Sequence, residues 1–161
     1  MKPGGAESGI TLMEMLVVVA IASLMIGISF PAITSGIDSL RINTACDSIV
    51  SFLNGGLTRA ERKQVVVEVT ILRADRTISL RSPDPTFFKE MLLPEGVTIE
   101  KILPEIPLPD ENAPRRFLIY PGGVIPRFGV QLLNRRGVRR IVRVDPITGV
   151  PRIERPEEQQ P

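Results

Sequence analysis

The chain has no histidine, no tryptophan, one tyrosine and one cysteine among its 161 residues. Histidine is the usual general base and the commonest metal ligand near neutral pH, so the chain lacks the usual residue for either role. The single cysteine, Cys46, excludes an internal disulfide. Few aromatic side chains leave little surface on which nucleic-acid bases can stack. We therefore predict that the protein is not an enzyme and that it has no cofactor and no metal site.

Hydrophobic residues make up 43% of the chain but are concentrated near its start. Between residues 10 and 33 the polar side chains are Thr11, Glu14, Ser23 and Ser29. A helix of about 20 apolar residues spans the hydrocarbon core of a bilayer, and residues 10–31 have this length. A secretory signal peptide is cut after its apolar stretch, whereas here a polar leader, residues 1–9, precedes it. This order favours a retained transmembrane helix.

Glu14 is the one charged residue within the apolar stretch. A carboxylate inside a membrane costs several kcal/mol, on the order of 3, unless a partner neutralises it. Proteolysis after Gly9 would free the amine of Ile10, four residues before Glu14 and on the same helical face. In a bundle of parallel helices, the amine of a neighbouring chain is an equivalent partner. The alternative is an uncleaved anchor in which Glu14 reaches the headgroup layer.

The sequence G-I-T-L-M-E-M-L at residues 9–16 resembles the prepilin peptidase site of type IV pilins and type II secretion pseudopilins. The resemblance implies that Gly9 precedes the cut and that Ile10 becomes the N-methylated mature terminus. Thr11 and Leu12 match the Thr-Leu pair of that motif. Glu14 matches the glutamate that registers incoming subunits. The sequence departs from the family at Ile10, where phenylalanine is usual.

Beyond the apolar stretch, the sequence predicts an amphipathic helix followed by short strands. Apolar residues recur at helical spacing to about residue 63, although Pro31 and Gly36 suggest a kink and Gly55-Gly56 an earlier end or bend. A β-hairpin is predicted at residues 65–81, with its turn at residues 74–76. Further strands are predicted at residues 97–103, 115–120, 130–133, 138–144 and 150–153. The proline-rich residues 103–114 are predicted to form an exposed loop.

Three stretches of the body resemble minor pseudopilins of the GspH/FimT group: R-A-E-R-K-Q-V-V-V at residues 59–67, L-P-E-G-V at residues 93–97 and R-R-G-V-R-R-I-V-R-V-D-P-I-T-G at residues 135–149. The predicted class is α+β with a pilin-like fold. A long N-terminal helix spans the membrane with residues 10–31, and its amphipathic half, residues 32–64, packs on a small antiparallel β-sheet. The body comprises residues 65–155. Residues 156–161 form a flexible tail.

The resemblance also implies a location and partners. The leader is expected in the cytoplasm, the helix in the bacterial inner membrane as a single pass, and the body in the periplasm, assembled into a pseudopilus. The expected partners are other pseudopilins or pilins of the same fibre, the prepilin peptidase and the inner-membrane assembly platform. The expected function is that of a structural minor pseudopilin supporting the export of folded proteins across the outer membrane.

Charge is divided unevenly along the body. Residues 84–111 contain seven acidic residues and two lysines, whereas residues 115–155 contain ten arginines and two acidic residues. The arginines of residues 115–155 are explained either as solvated positions at a sheet edge, where they discourage aggregation, or as a surface complementary to an acidic neighbouring subunit. The alternative function is a FimT-like minor type IV pilin that binds DNA during uptake. Its candidate residues are Arg135, Arg136, Arg139, Arg140 and Arg143.

Overall fold

A computed structural model of the chain describes residues 11–107, 110–122 and 125–156, except for the side chains of residues 28–35. It contains two compact units, Met1–Ile37 and Asp38–Pro161. The predicted leader, with Gly9, as well as Ile10 and most of the predicted tail lie outside the described residues.

Helix α1 is continuous over Leu12–Lys63, so the alternative of an earlier end at Gly55-Gly56 is wrong. The helix ends where the apolar periodicity ends. Arg62 and Lys63 place positive charge in its last turn, where it complements the helix dipole. Gln64 then takes a left-handed conformation with φ of 53°, which is a common way to close the C-terminus of a helix.

Gly56 shows why a glycine is retained inside this helix. A Cβ atom built at Gly56 would lie 3.2 Å from both terminal methyl carbons of Leu80, which is a buried residue of the sheet beneath the helix. Glycine within a helix costs about 1 kcal/mol relative to alanine. Here the absent side chain allows α1 to approach that sheet closely.

The body half of α1 buries the apolar face that its periodicity predicts. These positions follow one another at spacings of one, three, four or seven residues and lie on one side of the helix. The fully buried members are Ile42, Ala45, Cys46, Ile49, Leu53 and Ala60. Burial of each large aliphatic side chain stabilises the fold by about 1.5–3 kcal/mol.

The first sheet has four antiparallel strands in the order β3-β2-β1-β5. Alternation directs one face of each inner strand to the core, and Val67, Val69 and Ile71 of β1 are fully buried on it. The strands are β1 (Val67–Leu72), β2 (Thr77–Arg81), β3 (Phe88–Leu92) and β5 (Arg115–Ile119).

The second sheet has four antiparallel strands in the order β4-β6-β7-β8. A β-bulge interrupts the pairing of β4 with β6 between Ile99 and Lys101, so that Glu100 is the extra residue. The strands are β4 (Val97–Leu103), β6 (Gly129–Asn134), β7 (Arg139–Val144) and β8 (Pro151–Glu154).

The structure differs from the sequence-based expectation in two ways. The antiparallel body is divided between two sheets rather than formed by one, because β1 pairs with β5 while β4 pairs with β6. Strand β3 was not predicted. Its residues are mostly exposed, so the sequence F-K-E-M-L lacks the alternation of a half-buried strand.

The two sheets share one core with the body half of α1. Phe117 of β5 and Phe128, which precedes β6, stack with ring centroids 4.5 Å apart, so one aromatic pair joins the two sheets. Arginines reinforce the same junction. Arg73 Nε donates to the Ile99 carbonyl at 3.2 Å, and Arg115 Nη1 donates to the Ile102 carbonyl at 2.6 Å. The backbone edge of β4 is therefore satisfied by side chains in place of another strand.

Candidate functional site

The start of α1 is capped by a residue of the predicted processing motif. Thr11 precedes the helix, and its Oγ1 accepts a hydrogen bond from the backbone N–H of Glu14 at 3.2 Å. The Thr11 carbonyl accepts from Glu14 and Met15 at 3.1 and 3.2 Å. This is the N-cap arrangement, worth about 1 kcal/mol to a helix. Thr11 and Glu14 therefore define where the helix begins, directly after Gly9 and Ile10.

The side chains around Glu14 are apolar and exposed. Leu12 is 81% exposed, and Met13, Met15 and Leu16 are each at least half exposed. Among the residues that the structure describes, no ion pair involves Glu14. Glu14 lies in the first turn of α1, where a carboxylate also interacts favourably with the helix dipole. Within the described part of the chain, no helix is both long and apolar enough to cross a membrane.

The five candidate DNA-binding arginines do not form one continuous face. Side chains alternate between the two faces of β7, and Val142 and Val144 are buried on the face directed to the core. Arg139 and Arg143 therefore lie on the outer face of the second sheet. Arg140 lies on the opposite face, near enough to Cys46 of α1 to influence its thiol.

Arg139 is engaged by a carboxylate within the chain. Its Nε and Nη2 atoms each lie 2.8 Å from a different oxygen of Glu100, a bidentate pair with favourable geometry. Glu100 also accepts from Gln131 Nε2 at 2.9 Å. The hydrogen bonds from Arg139 and then Gln131 hold the pKa of Glu100 below its usual value, and the pair raises the pKa of Arg139.

Arg143 is also paired with a carboxylate, by a single hydrogen bond from its Nε to Glu154 Oε2 at 3.0 Å. The Arg139–Glu100 pair joins the acidic and basic segments, which are separate in the sequence, across the outer face of the second sheet. The positive charges of Arg139 and Arg143 are therefore partly neutralised by carboxylates of the same chain. These two residues therefore do not provide a row of unpaired cations that could bind the phosphate backbone of DNA.

Arg135 and Arg136 are exposed in the turn between β6 and β7 and, unlike Arg139 and Arg143, form no ion pair among the described residues. Asn134 organises this turn. Its Oδ1 accepts from the backbone N–H groups of Arg136 at 3.0 Å and Val138 at 2.9 Å. Its Nδ2 donates to the Asp38 carbonyl of α1 at 3.3 Å. The basic turn is therefore attached to the helix at the beginning of the body.

The turn between β7 and β8 contains the predicted D-P-I-T-G sequence. Asp145 Oδ1 accepts from the backbone N–H groups of Ile147 and Thr148 at 2.8 and 3.2 Å. These bonds hold the pKa of Asp145 below its usual value. Gly149 has a φ of 71°, and a Cβ there would overlap Ile125. The turn presents Ile147, which is 88% exposed.

Cys46 is a buried member of the core. Its exposed fraction is 0%, and burial raises the pKa of its thiol to about 11. A neutral thiol is a poor nucleophile and a poor metal ligand. Among the described residues, no group of three or more potential ligand side chains is placed to hold a metal ion.

Sequence reasoning missed Glu100 and Asn134 as organising residues. Glu100 lies in a strand that was correctly predicted, but its bulge gives no local signal. Asn134 lies between the strands predicted at residues 130–133 and 138–144. An Asn before R-R-G favours a side-chain hydrogen bond to the following backbone N–H groups, so its bonds within the turn could have been predicted from the sequence. Its contact with Asp38, 96 residues away along the chain, could not have been predicted from the local sequence.

Comparison with known proteins identifies the fold. No protein-family model and no curated protein sequence matches the chain. The structure is similar to that of the minor pseudopilin EpsH from the Type 2 Secretion System of Vibrio cholerae, with a TM-score of 0.54 and 14% sequence identity. The similarity covers 72% of this chain and 98% of the EpsH chain. The predicted α+β, pilin-like fold is confirmed.

Proposed function

We propose that the protein is a structural minor pseudopilin that assembles into a type II secretion pseudopilus. The observation that carries the proposal is the combination of the EpsH-like fold with a helix whose N-cap, Thr11, directly follows the G-I pair. A pilin-like subunit needs a helix that begins at its mature terminus, since that helix enters the fibre. The role is structural rather than enzymatic.

The proposed sequence of events begins in the inner membrane. The apolar residues 10–31 insert as a single pass with the leader in the cytoplasm and the body in the periplasm. The prepilin peptidase cuts between Gly9 and Ile10, and Ile10 is methylated. The new amine then provides the positive charge that Glu14 requires in an apolar environment. The assembly platform adds the subunit to other pseudopilins, with Glu14 setting its register.

Cleavage is tested by replacing Gly9. We expect Gly9→Leu to leave the precursor at full length, because a bulky side chain obstructs the peptidase at the residue before the cut. Gly5→Leu is the matched control within the same leader and should be processed normally. The measurement is the mass of the protein in membranes from cells that contain the peptidase. Normal processing of Gly9→Leu would contradict the assigned site.

Assembly is tested by replacing Glu14. We expect Glu14→Leu to be cut normally but to lose most of its incorporation into fibres, at least tenfold if a partner worth about 1.4 kcal/mol is removed. Ser23→Leu is the matched control. Ser23 Oγ donates only to the Val19 carbonyl within α1, at 2.8 Å. The measurement is the fraction of the protein in sheared fibres, and equal incorporation of both variants would remove the registering role.

A further inference from the structure

The turn between β6 and β7 lies at the end of the body from which the chain leads back to the apolar stretch. Asn134 joins the turn to Asp38 of α1 at 3.3 Å, and Asp38 is the first residue of the body unit. The tip of this turn is Arg135-Arg136. The turn between β7 and β8 is at the other end, because Gly149 lies beside Leu57, 19 residues further along α1.

Arg135 and Arg136 are exposed, and within the part of the chain that the structure describes neither forms an ion pair. The Arg135 side chain packs over Gly96, next to the exposed carboxylate Glu95. Arg41 adds a third cation at this end, with its side chain 44% exposed and only a loose contact of 3.9 Å to Asp38. The cations here are less neutralised than Arg139 and Arg143.

The distance along the chain from the apolar stretch to this turn is short. Pro31 closes the predicted membrane segment, and Asp38 follows seven residues later. Helix α1 is continuous through these residues, and seven residues of helix span about 10 Å. A bilayer adds headgroup layers of several Å, roughly 5–8 Å on each side, to its hydrocarbon core. At this spacing, the long arginine side chains of the turn can reach the lipid headgroups.

We propose that the exposed turn Arg135-Arg136 contacts anionic phospholipid headgroups while the subunit is stored in the membrane before assembly. The inference rests on the proposed membrane insertion of residues 10–31. A basic residue close to an anionic bilayer strengthens binding by about fivefold. Two arginines on one turn fit separate lipid phosphates, whereas a duplex would require cations along a longer surface, where Arg139 and Arg143 are paired with Glu100 and Glu154.

The test uses the full-length, processed protein in vesicles of phosphatidylcholine, with and without added phosphatidylglycerol. The measurement is amide hydrogen exchange in residues 135–138, with residues 145–149 as the internal reference at the other end of the body. We expect phosphatidylglycerol to slow exchange in the first segment by several fold, about fivefold for each engaged arginine. The effect should disappear at high salt, and the reference segment should not change.

Two double variants with the same change in net charge separate the turn from the rest of the basic surface. Arg135→Gln/Arg136→Gln should abolish the protection by phosphatidylglycerol. Arg139→Gln/Arg143→Gln should retain it, because these arginines are paired with Glu100 and Glu154. If both variants lose protection to the same extent, overall charge rather than the turn is responsible, and the proposal is overturned.

Vesicle flotation distinguishes a failure of this inference from a failure of the proposed function. Protein that does not float with vesicles contradicts membrane insertion, and the inference falls with it. Protein that floats but shows equal exchange in both lipids overturns the inference alone. Retardation of duplex DNA by the full-length protein in detergent, lost in Arg135→Gln/Arg136→Gln and accompanied by no lipid effect, assigns the turn to nucleic acid instead.

Discussion

In the first part of α1, residues 12–27, the large apolar side chains are exposed, including Ile21 at 54%. From Asp38 onward, the apolar side chains that follow helical spacing are buried, including Ile49 at 0%. Both parts belong to the helix Leu12–Lys63. The same residue types therefore have different surroundings, because two sheets cover the later part, whereas the side chains of residues 12–27 are exposed. This contrast supports the proposal that lipid or neighbouring subunits bury residues 12–27.

The largest expected effect concerns core packing in the two parts. Ile49→Ala should destabilise the body by about 2–5 kcal/mol, because it leaves a cavity between α1 and the sheets. Ile21→Ala is the matched control and should change stability by less than about 0.5 kcal/mol. The measurement is urea unfolding of the full chain in detergent, followed by circular dichroism. Equal losses would show that the body does not protect α1 in the way the structure describes.

Thiol reactivity should sharpen the same contrast between buried and exposed side chains. Burial raises the pKa of Cys46 from its ordinary value of 9.0 to about 11, so at pH 8 the thiolate fraction falls about a hundredfold. We expect labelling of Cys46 by a maleimide to be slower than that of the unfolded chain by at least this factor. A cysteine at an exposed position of the body, Ile147→Cys in a Cys46→Ala background, should react at the rate of a free thiol, because Ile147 is 88% exposed. Comparable rates at the two positions would contradict the contrast.

The smallest expected effect is on stability in acid, and it belongs to the body. Hydrogen bonds from Arg139 lower the pKa of Glu100, and hydrogen bonds from Thr86 lower that of Asp84. A carboxylate whose pKa is lower in the folded state stabilises the fold above its unfolded pKa. That stability is lost as the pH falls through the folded pKa. Stability should therefore be constant above the ordinary glutamate value of 4.5 and decrease below it.

Glu100→Gln should make this decrease in acid shallower and should lower stability at neutral pH. Glu90→Gln, at an exposed position of β3, is the matched control and should leave the profile unchanged. The measurement is urea unfolding of both variants between neutral and acidic pH. Identical profiles for Glu100→Gln and the unsubstituted chain would show that the Arg139–Glu100 pair contributes nothing to stability in solution.

Much of the fold could be predicted from the sequence because its signals are local. The predicted bounds of β2 and β4, residues 77–81 and 97–103, are confirmed without change. The end of α1 at Lys63 is confirmed, and the bounds of the remaining predicted strands differ from the observed ones by at most two residues at either end. Strand β3 was missed because it is largely exposed and lacks alternation. Neither the cut between Gly9 and Ile10 nor the role of Glu14 is decided by the structure, and both stay predictions.

The candidate surfaces were less predictable than the fold. The arginines appeared as one basic segment in the sequence, and that segment suggested a DNA-binding surface. The structure separates them into Arg139 and Arg143, which are paired with Glu100 and Glu154, Arg140 on the inner face, and the exposed turn Arg135-Arg136. Charge along a sequence shows how many cations are present but not which carboxylates face them.

The sequence by itself determined the apolar stretch, the capping residue Thr11, the helical period of α1, the alternation of most strands and the turn residues. Each depends on residues within a few positions of one another, where propensity and pattern act directly. The tertiary structure alone decided that the strands form two sheets, that a bulge places Glu100 against Arg139, and that Asn134 joins the basic turn to Asp38. These contacts join residues tens of positions apart, so their formation depends on how the whole core packs.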